Sequence, residues 1–304
     1  MSFGKDTKND LCALPVKKPC CRAALLYGML LCGNVFSPEK IRLVTEHERT
    51  SALILHLLSD VYGVRGSVYI NEKKSGDRKI SSYKLTVSAR DDLKKIFAEC
   101  ALPPDCEGAV NPELFKCDEC FRYFLRGAFL TAGTVTDPMS GYRLELTFEN
   151  EHLALTMQEL LSSFGFSAKY AKRQSSFVIY LKESENVEDF LTYVGASQAS
   201  LAVMNAKIYK DIRNAQNRLS NCDAANINKM TGKAQEHIRM IRALRRTGAF
   251  DALPEDLKTT AALREENPMA SLALLAELHD PPITKSGVNH RLAKIAEQYE
   301  KTVK

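Results

Sequence analysis

Nine cysteines, six histidines and a basic carboxy-terminal stretch are the parts of this 304-residue chain best equipped for chemistry. Cys117-Asp-Glu-Cys120 has the CxxC spacing that lets two sulfurs face one metal ion, and Cys100 and Cys106 lie upstream. A four-cysteine cluster is conceivable from these. The usual paired CxxC spacing is absent, however, and Cys120 opens an apolar helical stretch. The histidines show no ligand spacing. The reading is therefore of no metal and no cofactor. An odd number of cysteines in a chain this long also argues against a secreted disulfide scaffold and fits a reducing cytosol.

The second set lies near the end of the chain. Lys285, Ser286, Asn289, His290, Arg291 and Lys294 fall within ten residues. Ser, Asn, Lys and Arg are types that reach base edges and phosphates. Residues 1–196 hold 25 basic and 25 acidic side chains, whereas residues 197–304 hold 17 and 12, so the whole net charge of +5 sits in the last third. Such an asymmetry fits a nucleic-acid footprint, with a solvated helical surface as the alternative. Arg213 and Arg218 are further candidates for phosphate contact.

Positioning these residues takes two kinds of architecture. Apolar residues at 45% and charged residues at 26% exclude a disordered chain, a collagen or a coiled-coil rod. At roughly 150 residues per domain the length predicts two domains. The first two thirds carry an internal repeat. Cys21-Arg-Ala-Ala-Leu-Leu-Tyr-Gly28-Met-Leu-Leu31 matches Cys120-Phe-Arg-Tyr-Phe-Leu-Arg-Gly127-Ala-Phe-Leu130. Each copy then predicts a strand (Ile41–Thr45, Tyr142–Phe148) and a helix closed by glycine (Gly63, Gly165). Two more strands follow in each, Gly66–Ile70 with Lys84–Val87, and Ser167–Tyr170 with Phe177–Leu181. The polar stretch Asn71–Ser82 reads as a hairpin loop. Gly28 and Gly127 would let the two first helices approach each other on a pseudo-twofold axis, at about 1 kcal/mol of helix propensity each.

From Ser197 the strand pattern vanishes. One helix is predicted over Gln198–Leu219, with Leu201, Met204, Ile208, Ile212, Ala215 and Leu219 on one face. A second is predicted over Asp223–Arg246, with Ile227, Met230, Ala234, Ile238, Ile241 and Leu244 inward, Lys229, Lys233, Arg239, Arg242, Arg245 and Arg246 on its other faces, and Gly248 closing it. Asn221 and Asp223 suit a helix cap between them. Further helices are expected over Pro254–Arg264, over Leu272–His279 behind Ser271, and from Thr284 to about Tyr299. A short helix, a turn and a longer helix is the helix-turn-helix outline. In the last helix Val288, Leu292, Ile295 and Tyr299 form the core stripe. Ser286, His290, Ala293 and Lys294 face away, flanked by Asn289 and Arg291.

Phe124-Leu-Arg-Gly-Ala-Phe-Leu-Thr-Ala-Gly133 resembles the signature helix of LAGLIDADG homing endonucleases, and Leu25-Leu-Tyr-Gly-Met-Leu-Leu-Cys-Gly33-Asn34 is a weaker copy. In that family two such helices pair at the centre of a saddle of strands, and active members carry a metal-binding acid near each helix end. The matching positions here are Ala132 and approximately Gly33, which offer Mg²⁺ no carboxylate. A LAGLIDADG pair followed by a helix-turn-helix resembles the bacterial regulator family WhiA. Asn217-Arg-Leu-Ser-Asn-Cys-Asp-Ala-Ala-Asn226, Leu263-Arg-Glu-Glu-Asn-Pro-Met-Ala-Ser-Leu272 and Ile283-Thr-Lys-Ser-Gly-Val-Asn-His-Arg-Leu292 are the most specific stretches.

The fold expected is α+β, a two-copy LAGLIDADG-like saddle followed by an all-α helix-turn-helix domain. Residues 1–19 form a loose tail, 20–110 and 111–196 the two repeats, 197–222 a connecting helix and 223–304 the helix-turn-helix domain. The resemblance implies a non-enzymatic, cytoplasmic, nucleoid-associated protein that binds double-stranded DNA. It further implies a regulator of sporulation, or a protein of cell division and chromosome segregation. DNA would be read through Ser286, Asn289, His290 and Lys294, with Lys285 and Arg291 on phosphates. The neutral saddle could serve a protein partner. Two rival readings are an active nuclease recruiting Glu39 or Glu149, which sit at neither signature-helix end, and an adaptor whose helical third never meets DNA. The uncharged run Ala23–Gly33 behind Lys17, Lys18 and Arg22 imitates a signal peptide. It is shorter than the roughly 20 residues of a membrane span and recurs mid-chain, so no membrane role is expected.

Overall fold

The computed structural model describes residues 2–65, 67–75, 78–100 and 109–303, with the backbone alone described over 67–75 and 78–81 and at 303. The chain divides into two compact units, residues 1–210 and 211–304.

The first unit runs twice through the same order of elements. Copy one has α2 (Pro19–Leu31), β1 (Val35–Ser37), β2 (Lys40–Thr45), α3 (Glu48–Tyr62), β3 (Ser67–Ser75), β4 (Arg78–Val87) and α4 (Arg90–Cys100). Copy two has α5 (Cys120–Ala132), β5 (Gly133–Val135), β6 (Leu144–Phe148), α6 (Glu151–Ser163), β7 (Lys169–Arg173), β8 (Ser176–Leu181) and α7 (Ser184–Val194). Both sheets are antiparallel, in the orders β1-β2-β4-β3 and β5-β6-β8-β7. Alternation along β2 and β6 turns Ile41, Leu43 and Thr45, and Leu144, Leu146 and Phe148, into the core.

Helices α2 and α5 pair at the centre, and both are buried over most of their length. A Cβ at Gly28 would stand 2.2 Å from the Phe124 carbonyl oxygen, and one at Gly127 2.2 Å from that of Leu25. The two backbones are therefore in contact where any side chain would hold them apart. This is the role expected of these glycines. The Thr131 hydroxyl adds a hydrogen bond to the Met29 carbonyl across the pair at 3.2 Å. Gly63 and Gly165 close their helices with φ of 62° and 87°, as expected of left-handed terminators.

Several elements differ from the sequence reading. Residues expected as a loose tail contain α1 (Phe3–Ala13), with Thr7 and Leu11 buried against the unit. The stretch Asn71–Ser82, expected as a loop, pairs in register from Asn71 opposite Ser82 to Ser75 opposite Arg78, so β3 and β4 form a long ribbon. Its polar sequence hides the strands because no apolar alternation marks them. Helices α4 and α7, and the short strands β1 and β5, were not anticipated.

Beyond residue 196 a single helix, α8 (Ser197–Thr247), stands where two were expected. No proline occurs within it, and Asn or Asp in a helix costs at most about 0.7 kcal/mol against alanine. Asn221 and Asp223 are exposed residues inside the helix and cap nothing. The stripe expected to be core is also exposed at Leu201, Met204, Ile208, Ile212, Leu219, Ile227 and Met230, while Ala234, Ile238, Ile241 and Leu244 are buried as expected. The second unit is completed by α9 (Glu255–Glu266), α10 (Leu272–Glu277) and α11 (Lys285–Val303). Ile241, Leu244, Phe250, Leu253, Leu257, Ala261, Leu275, Ala276, Val288, Leu292 and Ile295 form its core. No described helix is long and apolar enough to cross a membrane.

Candidate nucleic-acid interface

The second unit sets α11 on a rigid base. The Ser271 hydroxyl accepts the Leu274 N–H at 3.2 Å and starts α10. The Thr284 hydroxyl accepts the Gly287 N–H at 3.0 Å and starts α11. Between them His279 is buried. Its Nε2 lies 2.9 Å from the Thr260 hydroxyl of α9 and its Nδ1 2.8 Å from the Leu275 carbonyl, so one imidazole ties α9 to the turn. Arg264, also buried, donates to the Ala270 carbonyl at 2.8 Å and fixes the α9–α10 connection. Burial holds its guanidinium below the usual arginine range.

Val288, Leu292 and Ile295 point into the core, and Tyr299 packs at its edge. On the opposite face Ser286, His290 and Lys294 are exposed, and Lys285 and Asn289 are exposed on the flank of the same helix. Asn289 stands at the rim of a cavity it shares with Lys233, His237, Arg264 and Ser271. Burial first, then the nearby Arg264 and Lys233, hold the His237 imidazole below its usual pKa. Arg291 departs from the group. It is half-buried, with its Nε 3.5 Å from the Asp256 carboxylate of α9. Arg213 and Arg218 are exposed on α8.

A second basic feature was not assigned to the site from sequence. Arg239, Arg242, Arg245 and Arg246 line an open groove with Gln235, Ile238 and Pro268. Glu265 neutralises part of it, 3.0 Å from Arg245 and 3.8 Å from Arg242. Arg245 also lies over the Phe250 ring at 3.9 Å. The spacing of Arg239, Arg242 and Arg246 along one helix face was the available signal.

In the first unit the signature helices end at Leu31 and Ala132, followed by Cys32-Gly33 and Gly133. Glu149, placed by the sequence reading away from these ends, is close to one of them. Its carboxylate accepts the Asn34 amide at 2.8 Å, and Asn34 in turn accepts the Val44 N–H at 2.7 Å. Through Asn34, Glu149 links β2 to the start of α6. Glu39 is exposed in the β1–β2 turn. The outer face of β6 is balanced in charge. Glu145 meets Arg143 and Arg173, and although burial alone would raise its carboxyl, these two guanidinium groups hold it below the usual range.

The cysteines group differently from expectation. Cys100 is buried with its sulfur 3.6 Å from the Tyr62 hydroxyl, and Cys106 lies outside the described residues. Cys117 and Cys120 meet Cys20 and Cys21 instead.

Two family models match the chain: a WhiA LAGLIDADG-like domain over residues 121–213 and a WhiA C-terminal HTH domain over residues 216–299. A protein named "Probable cell division protein WhiA" from Ruminiclostridium cellulolyticum is 35% identical over 99% of this chain and 98% of its own. One of the same name from Desulforamulus reducens is 36% identical over 99% and 96%. Among solved structures, full-length DUF199/WhiA from Thermatoga maritima aligns over 99% of both chains with a TM-score of 0.58 at 23% identity, a likeness of fold.

Proposed function

The chain belongs to the WhiA family, and from that premise we propose that it is a non-enzymatic, sequence-specific binder of double-stranded DNA. It regulates transcription in connection with sporulation or with cell division and chromosome segregation. The observation that carries the reading is the outer face of α11, where Ser286, Asn289, His290 and Lys294 stand exposed on a helix whose other side is locked into the core. Such a helix enters the major groove and reads base edges. Lys285, Arg213 and Arg218 bind phosphates. Arg291 does so by exchanging Asp256 for a phosphate oxygen, with counterion release from the duplex favouring the exchange. The protein is then cytoplasmic and nucleoid-associated.

The saddle acts as a scaffold in this account. At its helix ends Gly33 and Ala132 stand where cutting enzymes of the fold carry acids, and Glu149 is engaged by Asn34. The exposed Leu201, Met204 and Ile208 of the first unit favour a protein partner there as well. The test is a titration of labelled duplex with the full chain and with Asn289→Ala, His290→Ala and Arg291→Ala variants. The first two should relax sequence preference, by about 1–3 kcal/mol per contacted base pair. The third should weaken all DNA about equally. Variants that bind every fragment as the unaltered chain does would move the function to the adaptor reading.

A further inference from the structure

The pairing of α2 on α5 brings together more than two glycines. Cys21 lies seven residues before Gly28, and Cys120 seven before Gly127, two helical turns in each case. A pseudo-twofold axis that sets Gly28 against Gly127 therefore sets the starts of the two helices side by side. Cys20 precedes Cys21, and Cys117 sits one turn ahead of Cys120. The four sulfurs lie within 4.8 Å of one another. Cys117 is 3.7 Å from Cys20, 3.6 Å from Cys21 and 3.5 Å from Cys120.

These separations identify the chemistry. A disulfide needs its sulfurs about 2.05 Å apart, so all four are thiols. A tetrahedral ion with metal–sulfur bonds of about 2.3 Å holds its four sulfurs about 3.8 Å apart. An iron–sulfur cluster places several atoms between its cysteines and requires a wider cage. We propose that Cys20, Cys21, Cys117 and Cys120 form a mononuclear tetrathiolate site for Zn²⁺ or a comparably soft divalent ion, clasping the first repeat to the second.

The surroundings fit that role. Four thiolates on a divalent ion carry a net charge of −2, and the positive ends of α2 and α5 both begin here, at Pro19 and Cys120. The adjoining cavity, lined by Cys20, is mixed in charge: Arg22 pairs with Asp60 at 2.8 Å, and Lys116 stands with Glu99 and Glu113. Within the CxxC turn the Cys120 N–H donates to the Cys117 carbonyl at 2.9 Å. The turn holds the two sulfurs 3.5 Å apart. Cys21 and Cys120 are buried while Cys20 and Cys117 are half-buried, which leaves an entry path from the cavity side. Each thiol releases its proton to solvent as its sulfur binds, and neither sulfur nor metal changes oxidation state. The site is at the opposite ends of the helices from Gly33 and Ala132, so it is a structural clasp remote from the position of strand-cutting chemistry in this fold.

The test uses the full chain, reduced and stripped of metal, titrated with Co²⁺ alone and read by the intense visible absorption of a tetrahedral cobalt–thiolate centre. Saturation at one equivalent per chain is expected, with bleaching when Zn²⁺ is added. The signal should be lost in Cys117→Ser and in Cys20→Ser and kept in Cys222→Ser. Cys20 is half-buried in the first turn of α2, so its serine variant tests ligation without opening the core. Zn²⁺ should also raise the thermal midpoint of the unaltered chain and leave that of Cys20→Ser unmoved. No absorption in excess Co²⁺, or a spectrum that persists in both ligand variants, would overturn the proposal.

Discussion

Arg291 and Asn289 are neighbours on the flanks of one helix, and the structure gives them different tasks. Asn289 is exposed, whereas Arg291 is held toward Asp256. An Asp256→Ala change should therefore free Arg291 and strengthen binding to all duplexes alike, most visibly at low salt. An unchanged affinity would mean that the pair is spectator to DNA. His47 makes a second residue-scale case. Its Nδ1 caps α3 by accepting the Thr50 N–H at 3.2 Å, which needs the neutral ring. Burial first, then Lys8, hold its pKa below the ordinary 6.5. Protonation is thus more favourable in the unfolded chain, so this stabilisation is complete above pH 6.5 and lost as pH falls below it. Thermal midpoints measured over that range should fall less steeply in His47→Asn, which keeps a capping side chain without the titration. Parallel curves would remove His47 from the account. Ser286, Asn289 and His290 were readable as solvent-facing because the core stripe of α11 is strictly periodic. The bond from Arg291 to Asp256 was not, since it joins residues 35 apart in the chain.

At the scale of elements, contact decides the worth of a glycine. Gly127→Ala would put a methyl group 2.2 Å from a backbone oxygen, and separating two buried helices costs about 1–3 kcal/mol, more than the roughly 1 kcal/mol gained in propensity. A Cβ at Gly232, inside α8, meets nothing within 4 Å, so Gly232→Ala should raise stability by up to about 1 kcal/mol. Denaturant midpoints moving in opposite directions confirm the pairing; two increases would refute it. Thr284→Ala removes the cap of α11 and should cost about 1 kcal/mol, with weaker DNA binding as the first turn carrying Lys285 and Ser286 frays. The repeat, the sheet-lining strands β2, β6 and β8, and the caps at Ser271 and Thr284 were legible because apolar period and capping residues state them directly. Helix α1, the ribbon of β3 and β4, and the continuity of α8 were not. Their sequences are polar or lack a punctuating residue, and tertiary packing or simple absence of a breaker settled them.

At the scale of the molecule, one repeated helix accounts for the architecture of the first unit. Two copies pair through glycine, their sheets flank the pair, and the same symmetry gathers four cysteines from positions 20–21 and 117–120. The match of Cys21 with Cys120 in the repeat was the sequence signal for that cluster. It goes unnoticed when cysteines are grouped by nearness along the chain, as with Cys100 and Cys106. Charge is divided between the halves, and the basic excess lies with the helical third. Counterion release then predicts that removing phosphate contacts from the helical unit lowers the salt dependence of binding by about one ion per residue removed. The most direct measurement is a titration of full-length protein into labelled genomic duplex fragments with Mg²⁺ across a salt series, scoring shift and strand cutting on the same samples. The account predicts shifted, uncut DNA, an affinity that falls steeply as salt rises, and loss of binding when residues 221–304 are removed. Cutting that depends on Mg²⁺, or no shift at any salt, would contradict it.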